Sequence, residues 1–364
     1  MSKTLAILGG GQLAQMLGSA ASRLGVRCRA LDPSPDACAA RTCELITGAY
    51  DDPAAIARLV DGADALTFEF ENVPTSALAE AARLGVTVRP NAESLRVASD
   101  RLVEKRLFES VGMRVPPYRS IETANELIAA VHDIGVPLLL KARSGGYDGR
   151  SQAIVRETGD AEQAWAVLGN APCLVETMVD LSCEISVIAC RAADGQTEVY
   201  PLAKNEHRGG ILVRSIAPAQ VDTELAEEAH AWAAALLNRL DYVGVIALEL
   251  FVSLDGLLAN EFAPRVHNTG HSTIEGNETS QFENHVRAVL GMELGSAAPS
   301  SHAIMRNLIG SMPNSAPDPN DPCVFLHDYG KAAVQGRKLG HVTIIGTTPS
   351  DAADREARVI EELA

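Results

Sequence analysis

Long apolar runs are missing from this chain. None approaches the roughly 20 residues that crossing a bilayer requires, which argues against a membrane-spanning helix. The N-terminus enters a strand candidate at once and leaves no room for a signal peptide, so a cytoplasmic location is expected. Positive charge is also scarce: 31 Lys and Arg stand against 47 Asp and Glu, a net charge of −16. That balance argues against nucleic acid or an anionic membrane as a partner, since neither would meet a basic surface. A few local cations can still dominate one pocket, so a small anionic ligand stays open. The seven cysteines, at 28, 38, 43, 173, 183, 190 and 323, include no C-x-x-C pair. They read as scattered reduced thiols and not as a zinc site. No internal repeat or long low-complexity tract is present.

What is there is ample core material, 46% hydrophobic over 364 residues, enough for two or three domains. Up to about residue 95, apolar runs such as "TLAIL", "VRCRAL" and "ALTFEF" alternate with helical stretches that end on glycine. That alternation implies a parallel sheet covered on both faces. The stretch "SLRVASDRLVEKRLFESVG" has the spacing of one long amphipathic helix ending at Gly112. A smaller α/β unit follows as far as Val179, after which the chain turns mainly to strands. The expected boundaries are 1–95, 96–179 and 180–364.

Five stretches carry chemistry. In "LAILGGGQLAQM", Gly9, Gly11 and Ala14 have G-x-G-x-x-A spacing and Asp32 lies downstream. This is a strand-to-helix turn suited to any phosphate-bearing ligand, and alone it does not single out a nicotinamide cofactor. In "LLLKARSGGYDGRSQ", an apolar strand ends in Lys141 and runs into Gly145, Gly146 and Gly149. Such a loop can close its amides over phosphates beside a lysine, although the G-K-[ST] ending of a P-loop is absent. An ordinary glycine hairpin with a solvated lysine fits the same residues. In "LELFVSLDGLLANEFAPRVHNTGH", Glu249 and Glu261 sit on two strands joined by "LDG", a hairpin signal. Carboxylates brought together across a hairpin call for a cation, and Mg²⁺ shared with substrate phosphates satisfies both. Asn260 could add an oxygen, and Arg265, His267, Asn268 and His271 follow directly. Surface pairing of the two glutamates with arginines is the alternative. In "TFEFENV", Glu69 and Glu71 fall on one face at a strand's C-terminal end, where open parallel sheets bind ligands. Finally, "HDYGKAAVQGRKLGHVT" gathers Lys331, Arg337, Lys338 and His341 in an acidic protein, as a phosphate or carboxylate recipient would. His207, in "KNEHRGGIL", reads on its own as a packed or surface histidine.

Taken in order, "GGGQL", "FEFENV", "KARSGGYDGRSQ", "NEFAPRVHNTGH" and "YGK…GRKLGH" resemble the ATP-grasp superfamily over nearly the whole chain. More narrowly they resemble its 5-(carboxyamino)imidazole ribonucleotide synthases, which use ATP and bicarbonate in purine biosynthesis. The resemblance implies an α/β ATP-grasp architecture: an N-terminal Rossmann-like parallel domain, a small α+β lid, and a larger C-terminal α+β domain. It implies Arg101 and Lys141 on the ATP phosphates, with Gly145, Gly146, Tyr147, Asp148 and Gly149 in the closing loop. Glu176, Met178 and Val179 match the adenine segment and Glu184 the ribose carboxylate, with His207 and Asn260 also at the ATP site. Glu249 and Glu261 match the Mg²⁺ ligands. Gln12, Leu13, Glu69, Tyr147, Asp148, Arg150, Asn268, Lys331, Arg337 and Lys338 match positions that contact the ribonucleotide or its phosphate. Arg265, with His267 and Lys331, matches the place of bicarbonate and its phosphorylated form. A homodimer is implied as well. Departures are modest: Arg150 and Ser151 stand where the family usually has Lys-Gly, and Gln15 where it commonly has arginine. A formate-using glycinamide ribonucleotide transformylase, a nicotinamide dehydrogenase and a silent ATP-binding regulator are the competing readings.

Overall fold

The computed structural model describes residues 2–145, 151–313, 317–318 and 321–363, which form three sheets. The first contains β1 (Thr4–Leu8), β2 (Arg27–Asp32), β3 (Glu44–Thr47), β4 (Ala65–Phe68) and β5 (Thr87–Val88), in the order β3-β2-β1-β4-β5. All its pairings are parallel. Both β1 and β4 are buried along their whole length, as a sheet covered on two faces demands. This doubly covered parallel sheet is the expected N-terminal layer.

Helix α1 (Gln12–Arg23) springs from β1 through Gly9–Gly11. Gly9 has a φ of +105°, and a Cβ on Gly11 would stand 2.6 Å from Glu69 Oε1. The turn therefore needs glycine to let Glu69 approach the backbone. The helices α2 (Pro53–Val60) and α3 (Thr75–Arg83) complete this unit. Where one long helix was expected, two occur: α4 (Ala92–Ala98) and α5 (Arg101–Ser110). The cause is Asp100, whose side chain accepts a 2.9 Å hydrogen bond from Leu102 N and caps α5. A side chain that caps a new helix competes with continuation of the old one.

The second sheet holds β6 (Tyr118–Ile121), β7 (Leu138–Ala142), β8 (Gln152–Val155) and β9 (Cys173–Thr177), in the order β6-β9-β7-β8. It has a core of its own, built from Ile121, Leu127, Leu138, Trp165 and Val175. The third sheet consists of β10 (Cys183–Arg191), β11 (Thr197–Val199), β12 (Ala203–Arg208), β13 (Ile211–Ala217), β14 (Gly244–Ser253), β15 (Gly256–Ala263), β16 (His302–Ile309), β17 (Val324–Asp328) and β18 (Lys338–Gly346). Its main path runs β15-β14-β10-β12-β13-β16-β18-β17, with β11 beside β10. Leu248, Leu250, Leu257 and Phe262 on one face pack against Trp232, Leu236 and Leu237 of the helix Thr223–Arg239. Each such side chain is worth about 2 kcal/mol of burial, which fixes the register. The opposite face, carrying Glu249 and Glu261, is thereby turned to the cavity. A further core joins Leu5, Ile7 and Leu17 of the first unit to Cys190, Val245, Phe282 and Val286, locking those two units together.

Candidate active site

Across the β14–β15 hairpin, Glu249 lies directly opposite Glu261, with a bulge immediately after Glu249. The turn closes on Gly256, whose φ is +100°. Burial and the facing Glu261 push Glu249 up to about 7. For Glu261, burial works against the charge, but Arg101 outweighs it and takes the carboxyl down to about 2. Arg101 Nη1 donates to Glu261 Oε2 over 2.8 Å, so the arginine pairing open to the sequence is half realised. That pairing is not at the surface: it borders a cavity of about 470 Å³, onto which the Glu261 side chain keeps 39% of its area open.

Basic groups enter the same cavity from two other elements. Lys141, at the end of β7, is 4% exposed and so is not the solvated lysine of a hairpin. Its Nζ donates to Glu176 Oε2 (2.7 Å) and Asn260 Oδ1 (3.2 Å). His207 Nδ1, on β12, lies 2.7 Å from Glu184 Oε2. Burial opposes a charge on His207, but Glu184 and Glu249 outweigh it and raise its pKa. These placements give the cavity cations facing carboxylates, a setting for a polyphosphate and its counter-ion.

The loop after β15 supplies the next part. Arg265 pairs with Glu71 from beyond β4 and donates to Val266 O over 3.1 Å, while its buried Nε has no partner. His267 lies with Nε2 3.5 Å from Glu249 Oε1, and burial with Arg265 takes its pKa down to about 3. It is therefore neutral at ordinary pH. Gln281 fixes the loop by accepting from His267 N (2.9 Å) and donating to His267 O (2.6 Å). Both amide atoms of Asn268 are buried without a partner. An orphaned donor and acceptor of this kind mark a place for a ligand's polar atoms.

A second cluster lies where the C-terminal segment folds back on α1. Lys331 Nζ donates to Gln12 Oε1 and sits 5.7 Å from the centre of the Tyr329 ring. Glu69 does not share its partner with Glu71. It accepts from Gly11 N and from Ala14 N (2.9 Å), tying β4 to the turn. Asp32 accepts from Gly10 N (2.9 Å), Ser34 N (2.8 Å) and Tyr50 Oη (2.8 Å), so its carboxylate is engaged within the fold and a nicotinamide ribose finds no free partner there.

Several expected positions land differently. Leu13 is 8% exposed and belongs to the core, so its side chain offers a ligand nothing polar. Arg337 is exposed and donates to Ala332 O at 3.3 Å, whereas Lys338 lines the cavity. His341 leaves the basic cluster: it is fully buried and stacked on His327 at 4.2 Å. Burial keeps it neutral. Met178 is 42% exposed beyond the end of β9 and Val179 is half-buried, while Glu176 turns inward. Gly145 borders the cavity. Gly146, Tyr147, Asp148, Gly149 and Arg150 lie outside the described residues. Two site neighbours escaped the sequence reading. Glu104 accepts from Phe262 N over 2.7 Å, and Lys105 donates to Asn260 O over 2.8 Å. Arg101 and Lys105, four apart, share one stripe of α5 with Phe108, but that spacing does not tell a buried lysine from a solvated one.

The donor set fits a magnesium ion. Two half-buried carboxylates face each other, one of them raised to about 7, which a divalent cation with oxygen ligands relieves. Among the described residues no cluster of three or more His, Cys, Asp or Glu could hold a metal unaided. Such a cation would therefore complete its shell with phosphates and water.

The chain matches the ribonucleotide synthetase preATP-grasp domain over residues 1–99, the ATP-grasp domain over 106–282 and the phosphoribosylaminoimidazole carboxylase C-terminal domain over 303–355. Fold and site thus define an ATP-grasp protein. It is 45% identical to the N5-carboxyaminoimidazole ribonucleotide synthase of Pseudomonas aeruginosa, over 98% of both chains. The crystal structure of the Thermus thermophilus N5-carboxyaminoimidazole ribonucleotide synthetase superposes with a TM-score of 0.93 at 43% identity, covering 99% of this chain and 98% of that one. An Aspergillus clavatus synthase in complex with ADP and 5-aminoimidazole ribonucleotide gives 0.90 at 29% identity, covering 100% and 98%. The chain belongs to the N5-carboxyaminoimidazole ribonucleotide synthase family.

Proposed function

We propose that the chain is an ATP-dependent carbon–nitrogen ligase that carboxylates the exocyclic amine of 5-aminoimidazole ribonucleotide, drawing the carboxyl group from bicarbonate. The observation that carries this reading is the opposed pair Glu249 and Glu261, flanked by Arg101 and Lys141 and leading on to the unpartnered Arg265 Nε. In the first step a bicarbonate oxygen attacks the γ-phosphorus of ATP and the bond to the β–γ bridging oxygen breaks. The products are carboxyphosphate and ADP. In the second, the amine nitrogen bonds to the carboxyl carbon, directly or as CO₂ released in the closed site. The carbon–oxygen bond to phosphate breaks, and phosphate leaves with that oxygen and accepts the amine proton.

The protein positions and neutralises, which is most of what phosphoryl transfer asks of it. Arg101 and Lys141 meet the phosphates, and Glu184 with His207 meets the ribose side of the nucleotide. Magnesium held by Glu249 and Glu261 supplies neutralisation of the transferring phosphoryl charge. Arg265 holds bicarbonate in its planar fork, and neutral His267 adds a donor or acceptor without repelling the arginine. Gln12, Glu69, Asn268 and Lys331 orient the ribonucleotide, whose amine needs no strong base. Carboxyphosphate hydrolyses readily, so the sheet β6–β9 closes over the cavity as a lid; its separate core supports movement as one body. On this reading residues 1–95 bind the ribonucleotide, 96–179 form the lid with its linking helix, and 180–364 carry the catalytic sheet. The reading takes the chain as cytoplasmic from its scattered reduced thiols, and as a homodimer on the family resemblance alone; among the described residues, no helix is long and apolar enough to cross a membrane.

ADP release from Mg-ATP tests the reading. Release should require bicarbonate and rise strongly when 5-aminoimidazole ribonucleotide is added. Release stimulated only by formate with another amine would discard the substrate assignment and leave the fold untouched.

A further inference from the structure

Between lid and catalytic sheet lies a charge arrangement that phosphoryl transfer leaves unused. Glu176, at the end of β9, is 2% exposed and has an ammonium group at each carboxylate oxygen. Lys141 Nζ stands 2.7 Å from Oε2, and Lys105 Nζ stands 3.2 Å from Oε1. The two lysines differ in outlook. Lys141 borders the cavity, whereas Lys105 is 1% exposed and spends its other donors on Asn260 O (2.8 Å) and Ala259 O (3.3 Å). Lys105 thus ties α5 to the lid strand and to the backbone beside Glu261, without reaching the cavity.

We infer that Lys105 is a positioning residue that keeps Glu176 charge-balanced, so that Lys141 can leave the carboxylate and engage the nucleotide phosphates. The inference rests on the assignment of Lys141 to those phosphates. One carboxylate between two ammonium groups carries one cation in excess, and the cation facing the cavity is the one free to go. A buried carboxylate stripped of its only counter-ion is strongly destabilised. Were Lys141 the sole partner, phosphate binding would have to break a buried ion pair. With Lys105 fixed behind it, Glu176 keeps a neutral pair whatever Lys141 does. Burial alone would neutralise Glu176, yet Lys141 and Lys105 together hold its pKa below the usual value, while burial lowers that of Lys105 against the pull of Glu176 and Glu104.

The test is calorimetric binding of a non-hydrolysable ATP analogue with Mg²⁺, and of adenosine, to the full chain and its variants. Lys105→Met should weaken the analogue by about tenfold or more, because Lys141 is then locked on Glu176. Adenosine, with no phosphates for Lys141 to meet, should bind wild type and Lys105→Met alike. Adding Glu176→Gln to Lys105→Met removes the stranded carboxylate and should return the ratio of analogue to adenosine affinity, in which any effect of Glu176 on the adenine cancels, to within about threefold of wild type. The inference is overturned if Lys105→Met binds the analogue as wild type does. It falls equally if adenosine weakens in step, the mark of a merely structural lysine, or if the ratio in the double variant stays as low as in the single one. Should Lys105→Met not fold, the double variant decides alone, since it removes the carboxylate that Lys105 would otherwise leave unbalanced: a near-wild-type ratio supports the inference and a ratio lowered beyond about tenfold overturns it. A wild-type chain that binds adenosine but not the analogue overturns the phosphate assignment of Lys141 and this inference with it.

Discussion

Glu261→Gln is expected to lower the kcat of ADP formation by about a thousandfold, the scale of losing one pre-organised electrostatic contact or more at a transferring phosphoryl group. Two losses combine at this residue. The amide keeps an oxygen but not the charge that a divalent cation needs, and Arg101 loses the partner that its Nη1 holds at 2.8 Å. The variant removes the like charge opposite Glu249, one of the causes that hold that carboxyl near 7. Steady-state kinetics paired with nucleotide binding distinguishes the causes. Binding without magnesium should stay close to wild type, while the gain that magnesium gives wild type should disappear. A variant retaining a tenth or more of wild-type turnover would remove Glu261 from the metal-binding role.

Arg265→Met is the second large effect. The guanidinium is already matched to a planar carboxylate, since it pairs with Glu71, and it keeps a buried Nε to spare. Bicarbonate offers a planar pair of oxygens of the same kind and would take the fork in competition with Glu71. Loss of the fork should cut kcat/KM for bicarbonate by about two to three orders of magnitude. Affinity for Mg-ATP should move little, because Arg101 and Lys141 remain. Arg265→Lys should rescue only a small part, since a point charge cannot make the bidentate contact. The check is a bicarbonate titration at saturating ATP, alongside the nucleotide dissociation constant. Equal losses for bicarbonate and nucleotide would show that Arg265 supports the cavity at large.

The paired glutamates were legible in the sequence because two strong local rules agree. Period-two alternation sets the face of each strand, and "LDG" closes the hairpin. The single bulge after Glu249 leaves the pair in register. The parallel N-terminal sheet was legible for a similar reason, its apolar runs and glycine-stopped helices being short-range signals. The break between α4 and α5 was not read, because periodicity continues across Ser99 and Asp100 and only the capping bond announces the new helix. His341 looked like part of a basic loop; its place on β18, stacked against His327, depends on β18 turning back to pair with β17. Glu69 and Glu71 share a strand face in sequence, yet one turns to the α1 backbone and the other to Arg265, which lies 194 residues away. Lys105 shows the limit best. A lysine on a helix reads as solvated until the partners that bury it, Glu176 and the β15 carbonyls, arrive from two other sheets.

The central claim is that bicarbonate itself attacks the γ-phosphorus, which makes the fate of its oxygen the most direct measurement. With ¹⁸O-labelled bicarbonate, Mg-ATP and 5-aminoimidazole ribonucleotide, the phosphate released in each turnover should carry one labelled oxygen derived from bicarbonate. Phosphate carrying no label under the same turnover would mean that another oxygen attacks the phosphorus, and it would contradict the mechanism at its first step.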